Sequence, residues 1–429
     1  MPLIKISQAY PLVAVLLCAV APVWTGCNGG GGANPVNDDG AVAVTIQGDG
    51  RIVAAGNSYA GASYDRNFAL ARYNPDGSLE ATFGAGGKVT TNIANDDRVV
   101  AVAVQSDGKI VAVGYSYDGF DNFTLARYDS SGSLDATFGY GGKVKTALGG
   151  GAQAVALQGD GGIVAAGYSD NGAGGTLALV RYRSDGALDN TFGAGGKVVT
   201  ADVDGGASDV ALQADGKIVA VGNSSNGGGY QNFILARYHS SGSLDNTFGA
   251  GGKVTMVSTY HDTLTAVALQ TDGMIVAAGS SYDVAGGYDL ALRRFNSDGS
   301  PDNTFGTDGK VLATVRGLYP LRASVVPSPG DGKIVVAGYS DSDLVLARYN
   351  GDGSPDTAFG TGGKVTAATS SIGVLVSEMA VQSDGKIVVV GRSYIYRDPT
   401  GYDFALMRYN SDGSPDTAFG SGGKVITAY

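Results

Sequence analysis

A seven-bladed β-propeller with four strands per blade is the fold this sequence predicts, and three observations predict it. One pattern, typified by Ser106-Asp107-Gly108-Lys109-Ile110-Val111-Ala112-Val113-Gly114, recurs seven times. Its Asp-Gly pair falls at Asp49, Asp107, Asp160, Asp215, Asp272, Asp331 and Asp384, spaced 53–59 residues apart. That period is long for a solenoid coil and suits a four-stranded blade with generous loops. Helical periodicity is absent after the first segment, and short apolar runs alternate with Gly-, Ser- and Asp-rich turns. A length of 429 residues would by itself allow two or three domains, but a short repeat makes residues 41–429 one body. The 70 Gly and 12 Pro fit turn-rich β structure better than disorder or collagen.

Residues 1–26 read as an export signal. Lys5 supplies the positive start, and Tyr10 to Val23 is an apolar stretch too short to span a bilayer comfortably. Val23-Trp24-Thr25-Gly26-Cys27 follows, with a small residue directly before a Cys. This resembles the lipobox of bacterial lipoproteins, although Trp24 stands where that motif usually has an aliphatic residue. The resemblance implies an acylated Cys27 and a membrane-anchored protein at the outer membrane or cell surface. Cys18 would be discarded with the signal, which leaves Cys27 without an internal disulfide partner. An ordinary secretory cleavage site beside an incidental Cys is the plainer alternative. Residues 27–40, Gly-rich from Asn28, read as a flexible tether. Loss of Lys5 with the signal takes the net charge from −11 to −12, which repels nucleic acid.

In the second copy Val100–Gln105 reads as the first strand, and Asp107-Gly108 as a tight hairpin. Lys109–Tyr115, Phe123–Tyr128 and the short Lys143–Thr146 follow as strands two to four. The first two are apolar on both faces, as strands packed between neighbouring blades should be. The joint pattern Asp-Gly-Lys-Ile-Val-x-x-Gly, Ala-Arg-Tyr and Ser-Leu-Asp-x-Thr-Phe-Gly-x-Gly-Gly-Lys-Val resembles the bacterial delta-60 repeat, a propeller-type repeat of extracellular proteins. The likeness runs from about residue 41 to residue 429 and implies fold and location, with no chemistry attached to any residue. The chain enters at Ala41–Gln47 and leaves at Lys424–Ala428. Each copy is therefore one whole blade, or the blade boundaries are offset and the terminal strands pair. The sixth copy is irregular: Ser324 to Gly330 contains two Pro, which calls for a bulge or a shortened strand.

Gly56, Gly114, Gly167, Gly222, Gly279, Gly338 and Gly391 end the second strand in every copy. Tight packing or a positive φ explains them better than phosphate binding, because no helix follows. Arg72, Arg127, Arg181, Arg237, Arg294, Arg348 and Arg408 recur on the third strand. Eight residues later stand Glu80, Asp135, Asp189, Asp245, Asp302, Asp356 and Asp416. An Arg on a packed strand needs an acidic or carbonyl partner, so each is expected to bind the acidic turn of its own or a neighbouring blade. The Asn-x-Asp-Gly-Ser turns offer oxygens to calcium. They lack the twelve-residue loop and a clustered third carboxylate, and they read as locally bonded turns. No metal site or cofactor is expected, with calcium the alternative.

Alternating strands would put the nearly constant 1–2 and 3–4 connections on one face and the variable 2–3 and 4–1 connections on the other. Function should sit on the variable face. That face supplies the candidate ligand-binding residues Tyr64, Tyr117, Asp121, Tyr230, Tyr260, His261, Asp262, Tyr282, Tyr288, Tyr394, Tyr396 and Tyr402, with Tyr59, Phe120 and Tyr319 nearby. Tyr is suited to recognising protein or carbohydrate. With His239 and His261 the sole histidines, and one thiol in the mature chain, neither a Cys/His nucleophile pair nor a His-rich zinc site can be built. No catalytic residue is assigned. The expected protein is a monomeric, lipid-anchored binding scaffold for a surface protein or glycan. The alternatives are a hydrolase or lyase with carboxylates at the central channel and a purely structural surface protein.

Overall fold

The structure is a computed structural model that describes residues 39–59, 65–170, 175–225, 231–256, 262–283, 287–313, 324–328, 330–340, 343–368, 374–394 and 402–429. Across these residues 28 strands, β1 to β28 in chain order, form seven four-stranded antiparallel sheets. Each sheet consists of four consecutive strands. The first blade is β1 (Gly40–Ile46), β2 (Ile52–Tyr59), β3 (Arg66–Tyr73) and β4 (Lys88–Thr91). The fold is a seven-bladed β-propeller, as the repeat predicted. Its simple meander puts the 1–2 and 3–4 connections on one face and the 2–3 and 4–1 connections on the other.

Chemistry of the repeat explains the constant face. In the second blade the Gln105 amide donates to the Lys109 carbonyl at 2.8 Å, and the Gly108 amide to the Gln105 carbonyl at 2.9 Å. Gly108 closes this turn at φ 84°, a left-handed conformation that costs Gly nothing. The Asp107 carboxylate accepts the Lys109 amide at 3.1 Å. The recurring glycines of strand two, such as Gly114, have a different reason, and they lie within the strand where its end was expected. A β-carbon there would lie 1.9 Å from the Arg98 carbonyl oxygen, and the φ is not left-handed, so close packing is the cause. The opposing first strand carries a bulge at this level, between Val99 and Ala101, which presses its carbonyl onto the Gly.

All seven Arg–acid pairs form within their own blade. Each guanidinium also lies 4.4–4.8 Å over the Phe of the Thr-Phe-Gly or Ala-Phe-Gly turn. The Lys of Asp-Gly-Lys reaches the same carboxylate in four blades, for example Lys109 to Asp135 at 3.2 Å. Six of these Arg donate onward to a turn carbonyl of the next blade: Arg127 to Ser184, Arg181 to Ser240, Arg237 to Ser297, Arg294 to Gly351, Arg348 to Ser411 and Arg408 to Pro75. A backbone bond runs beside each, from the Gly249 amide to the Asp298 carbonyl at 2.8 Å in blade 4. The expected choice between own and neighbouring blade is thus both, with the carboxylate at home and the carbonyl next door.

The ring closes with no exchange of strands. β28 (Lys424–Thr427) pairs with β27 (Tyr402–Tyr409), and β1 pairs with β2. Blade 7 meets blade 1 through the same contacts that join the others. Arg408 binds the Pro75 carbonyl, the Gly420 amide donates to the Asp76 carbonyl at 2.8 Å, and Lys88 Nζ donates to the Ala428 carbonyl at 2.9 Å. An apolar cluster of Ala41, Val44, Tyr73, Val388, Phe404 and Phe419 lies between them. Whole-blade repeats are therefore correct. In the sixth blade β21 (Ser324–Pro327) pairs with β22 (Ile334–Ser340) from Ser324 opposite Ala337 to Pro327 opposite Ile334, and the stretch before Ser324, like Pro329, lies outside the described residues.

One hydroxyl varies from interface to interface. Tyr73, Tyr128 and Tyr182 donate to Thr427, Thr91 and Thr146 of the preceding blade at 2.8–2.9 Å, and Tyr238 shares a 2.6 Å bond with Thr200. In blade 5 the matching residue is Phe295, and Met256 stands where the Thr would be. Tyr349 faces Ala313 in a groove of about 490 Å³ between blades 5 and 6.

Candidate functional site

Strands two and three run further toward the variable face than expected. In blade 2, β6 (Ile110–Tyr117) and β7 (Asp121–Tyr128) pair up to Tyr117 opposite Asp121. In blade 5, β18 (Ile275–Asp283) and β19 (Gly287–Phe295) place Tyr282 opposite Tyr288. In blade 7, β26 (Ile387–Tyr394) places Tyr394 opposite Tyr402 on β27. These six residues thus stand at hairpin ends on paired backbone, where a loop position was expected. Tyr64, Tyr230, Tyr260, His261, Tyr396, Tyr319 and Cys27 lie outside the described residues.

The structure brings the candidates together pairwise. Tyr282 and Tyr288 meet edge to face, with centroids 5.1 Å apart. The Arg392 guanidinium lies 5.3 Å over the Tyr402 ring. Asp262 opens β17 (Asp262–Leu269) as a buried residue 3.6 Å from Arg293 of the same blade, whose guanidinium lies over Phe233 of blade 4, so it is a structural ion-pair partner in place of an open surface acid. Burial lowers the Arg293 pKa, and Asp262 pulls it back.

Among the described residues, blades 1 to 3 carry a continuous polar and aromatic surface. Arg66 donates to the Tyr59 hydroxyl at 2.8 Å and lies 3.4 Å from Asp96 of the second blade. Asp96 also holds Arg98 at 3.1 Å, and Arg98 sits 5.7 Å over the Tyr115 ring. Burial raises the Tyr115 hydroxyl, and Arg98 beside it works in the opposite direction. The Tyr168 hydroxyl of blade 3 donates to Asp121 at 3.1 Å. At the hairpin tip Asn122 ties the turn, donating to Asp118 at 2.7 Å and to the Phe120 carbonyl at 3.1 Å. Lys145 also binds Asp118 and, with Asn122, holds that acid below the usual carboxylate range. Above this network Tyr117 is 49% exposed and Phe120 is 51% exposed. Two large rings are thus held toward solvent on a braced hairpin, flanked by fixed charges.

Of this patch the sequence marked Tyr59, Tyr117, Phe120 and Asp121. It missed Arg66, Asp96, Arg98, Tyr115 and Tyr168. Tyr115 and Tyr168 had a visible signal: both follow the recurring strand-two Gly in a Gly-Tyr-Ser triplet, where Asn57 and Asn223 stand in blades 1 and 4. Those two Asn instead accept the Val99 and Leu264 amides of the next blade at 2.9 and 3.1 Å.

Directly after the bulge of the innermost strand stand two carboxylates, Asp209 on β13 (Ala207–Leu212) and Glu378 on β25 (Val374–Val381). Both are at most 1% exposed. Each accepts a backbone amide of the next blade at 2.7 Å, from Val267 and Val44 respectively. Among the described residues no three His, Cys, Asp or Glu side chains gather as a metal would require. The turn acids are locally bonded, as Asp298 is to Ser300 Oγ at 2.6 Å.

No curated protein sequence matches the chain. Among solved structures it is similar to a PL25 polysaccharide lyase, an ulvan lyase bound to a GlcA–Rha3S saccharide, at 13% identity over 91% of this chain and 98% of that one, TM-score 0.47. It is also similar to the polysaccharide lyase Uly1, at 11% identity over 94% and 100%, TM-score 0.48. A third is Sqt1 of Chaetomium thermophilum bound to the N-terminus of ribosomal protein L10, at 12% identity over 85% and 82%, TM-score 0.41. Likeness at this level carries no argument about ligand or reaction. The family evidence is of another kind. Residues 47–83, 105–138, 158–192, 213–248, 270–305, 330–359 and 382–419, more than half of the chain, match one family, a segment in each blade. The chain belongs to the family described as the DUF5122 beta-propeller domain of unknown function.

Proposed function

We propose that the protein is an extracytoplasmic binding module, anchored by a lipid on Cys27, that seats a surface protein or glycan on the variable face of blades 1 to 3. The observation that carries this reading is the pair Tyr117 and Phe120, half exposed on a hairpin held by Asn122, Asp118 and Lys145. Rigid aromatic groups lose little conformational freedom on binding, and the flanking Arg66, Asp96 and Arg98 offer directed polar contacts. Residues 1–26 supply the export signal, and residues 28–40 leave room between the anchor and the ring. The protein acts as a monomer in this reading.

The alternative of a hydrolase or lyase with carboxylates at the central channel draws on Asp209 and Glu378. Acid–base work on a sugar requires carboxylates that touch it. These two are buried and each binds a neighbouring backbone amide, which favours a structural role.

Capture tests the binding reading. The mature chain, residues 27–429, is immobilised and offered extracellular protein and surface-glycan fractions separately, beside a Tyr117→Ala/Phe120→Ala variant. Retention of one fraction by the wild type and its loss in the variant is expected. Equal retention by both chains would move the site elsewhere, and retention of neither fraction would leave a purely structural role as the better reading. Lipidation has its own assay: labelled palmitate should enter the full chain and fail to enter Cys27→Ala.

A further inference from the structure

Glu378 occupies a position where most blades have a small residue. Directly after the bulge of the first strand stand Ala43, Ala101, Ala154 and Ala266 in blades 1, 2, 3 and 5. Asp209 takes that place in blade 4 and Glu378 in blade 7, and in the sixth blade Ser324, opposite Ala337, stands at the matching level. All seven are at most 1% exposed. The two acids perform the same task. Val44 and Val267 hold equivalent register positions on the free inner edge of their blades, and each donates its amide to the acid of the blade before. An edge amide with no ladder partner is thereby satisfied. For Glu378 this happens at the closure of the ring, between blades 7 and 1.

The two acids differ in what their second oxygen does. Asp209 Oδ1 accepts the Val210 amide at 2.7 Å. Glu378 Oε1 is buried and accepts no hydrogen bond from the described residues. Among the described residues, no cation on the packed elements answers it. β1, β21 and β22 carry no charged residue, and Asp39, just before β1, accepts the Tyr59 amide. On β26 the sole cation, Arg392, lies over Tyr402. Facing Glu378 from blade 4 is the like charge of Asp209. A bare carboxylate with one oxygen unmatched in such surroundings is much more costly than the neutral acid.

We propose that Glu378 carries a proton in the folded ring at neutral pH, and that it acts as a proton-dependent clasp between blades 7 and 1. In the neutral acid Oε2 is the carbonyl that accepts the Val44 amide, and Oε1 holds the proton. Burial pushes the acid well above the ordinary range and the Asp209 charge adds to this, while the Val44 bond works the other way. The sign follows. An acid whose folded pKa is raised contributes stability that is whole below its unfolded value, near pH 4.3, and is lost as pH rises through the folded value. Alkaline conditions should therefore loosen the closure, and acid should tighten it there.

Infrared titration of the full chain tests this. A protonated-carboxyl C=O stretch should persist at pH 7, where ordinary carboxylates are ionised, and be missing in Glu378→Gln. The wild-type melting temperature should fall between pH 5 and pH 9 more steeply than that of Glu378→Gln. Absence of the band from the wild type at pH 7, or equal slopes in the two chains, would overturn the proposal. Should Glu378→Gln not fold, Asp209→Asn serves. Removing that charge should move the loss of the band to lower pH, and an unmoved midpoint would refute the coupling.

Discussion

The two faces of the ring are built from the same strands and differ in what repetition did to them. On the constant face one arrangement is made seven times: an Arg laid on a Phe, bound to an acid eight residues on and, in six blades, to a carbonyl of the next blade. On the variable face each blade is particular. Blade 2 raises Tyr117 and Phe120, blade 5 sets Tyr282 edge to face with Tyr288, and blade 7 lays Arg392 over Tyr402. The lesson is that the recurring motif is the means by which blades hold each other, and the departures from it are where recognition can reside.

Breaking the constant face should be the most damaging. Arg237 and Asp245 are both buried, at 5% and 0% exposure. Arg237→Met leaves that carboxylate without its main counter-charge and should cost about 3–5 kcal/mol in chemical denaturation. A loss below about 1 kcal/mol would contradict the clasp role of the Arg. Gly222→Ala comes next. Its β-carbon would meet the Gly206 carbonyl oxygen at 2.0 Å, so a loss of roughly 1–3 kcal/mol is expected from forced movement of the inner strand.

Acid offers a graded test of the same face. The Thr247 hydroxyl and amide, with Arg237 and Lys217, hold the Asp245 carboxyl well below the ordinary range despite the opposing effect of burial. Asp135 is held low by the matching set of Thr137, Lys109 and Arg127, again against burial. Acids with depressed folded pKa contribute stability above their unfolded value, near pH 3.9, and lose it as pH falls through the folded one. Melting temperature should therefore drop steeply below about pH 4, and the drop should be shallower in Asp245→Asn, which starts lower. Smaller still is the interface hydroxyl. Tyr128→Phe gives up a buried bond to Thr91 and should cost about 1 kcal/mol. Tyr349→Phe, facing Ala313, should stay within about 0.5 kcal/mol. Equal costs at the two interfaces would mean that the Thr partner contributes nothing.

Legibility in the sequence follows the same division. The blade count and the Arg–acid spacing of eight could be read because each is repeated. The onward bond from Arg237 to the Ser297 carbonyl could not, since a backbone acceptor 60 residues away has no side-chain signature. The recurring strand-two glycines were read as needing either room or a left-handed backbone, and the carbonyl pressed onto Gly114 by the neighbouring bulge shows the first. Tyr117 and Asp121 were legible as candidates but were placed in a loop, because hairpin pairing up to those residues depends on the partner strand. Asp262 was misread as open surface, because its partner Arg293 replaces a small residue on another strand. Glu378 was visible all along as an acid in a column of Ala, and the missing piece was the amide of Val44, 334 residues away.

The division between the faces is tested most directly by one paired measurement, melting and capture on the Tyr117→Ala/Phe120→Ala variant beside Arg127→Met in the same blade. The account predicts that the first melts as the wild type does and no longer retains the captured surface fraction. It predicts that the second melts well below wild type and, assayed below its own transition, still retains that fraction. A Tyr117→Ala/Phe120→Ala chain that keeps full capture would contradict the assignment of recognition to the variable face.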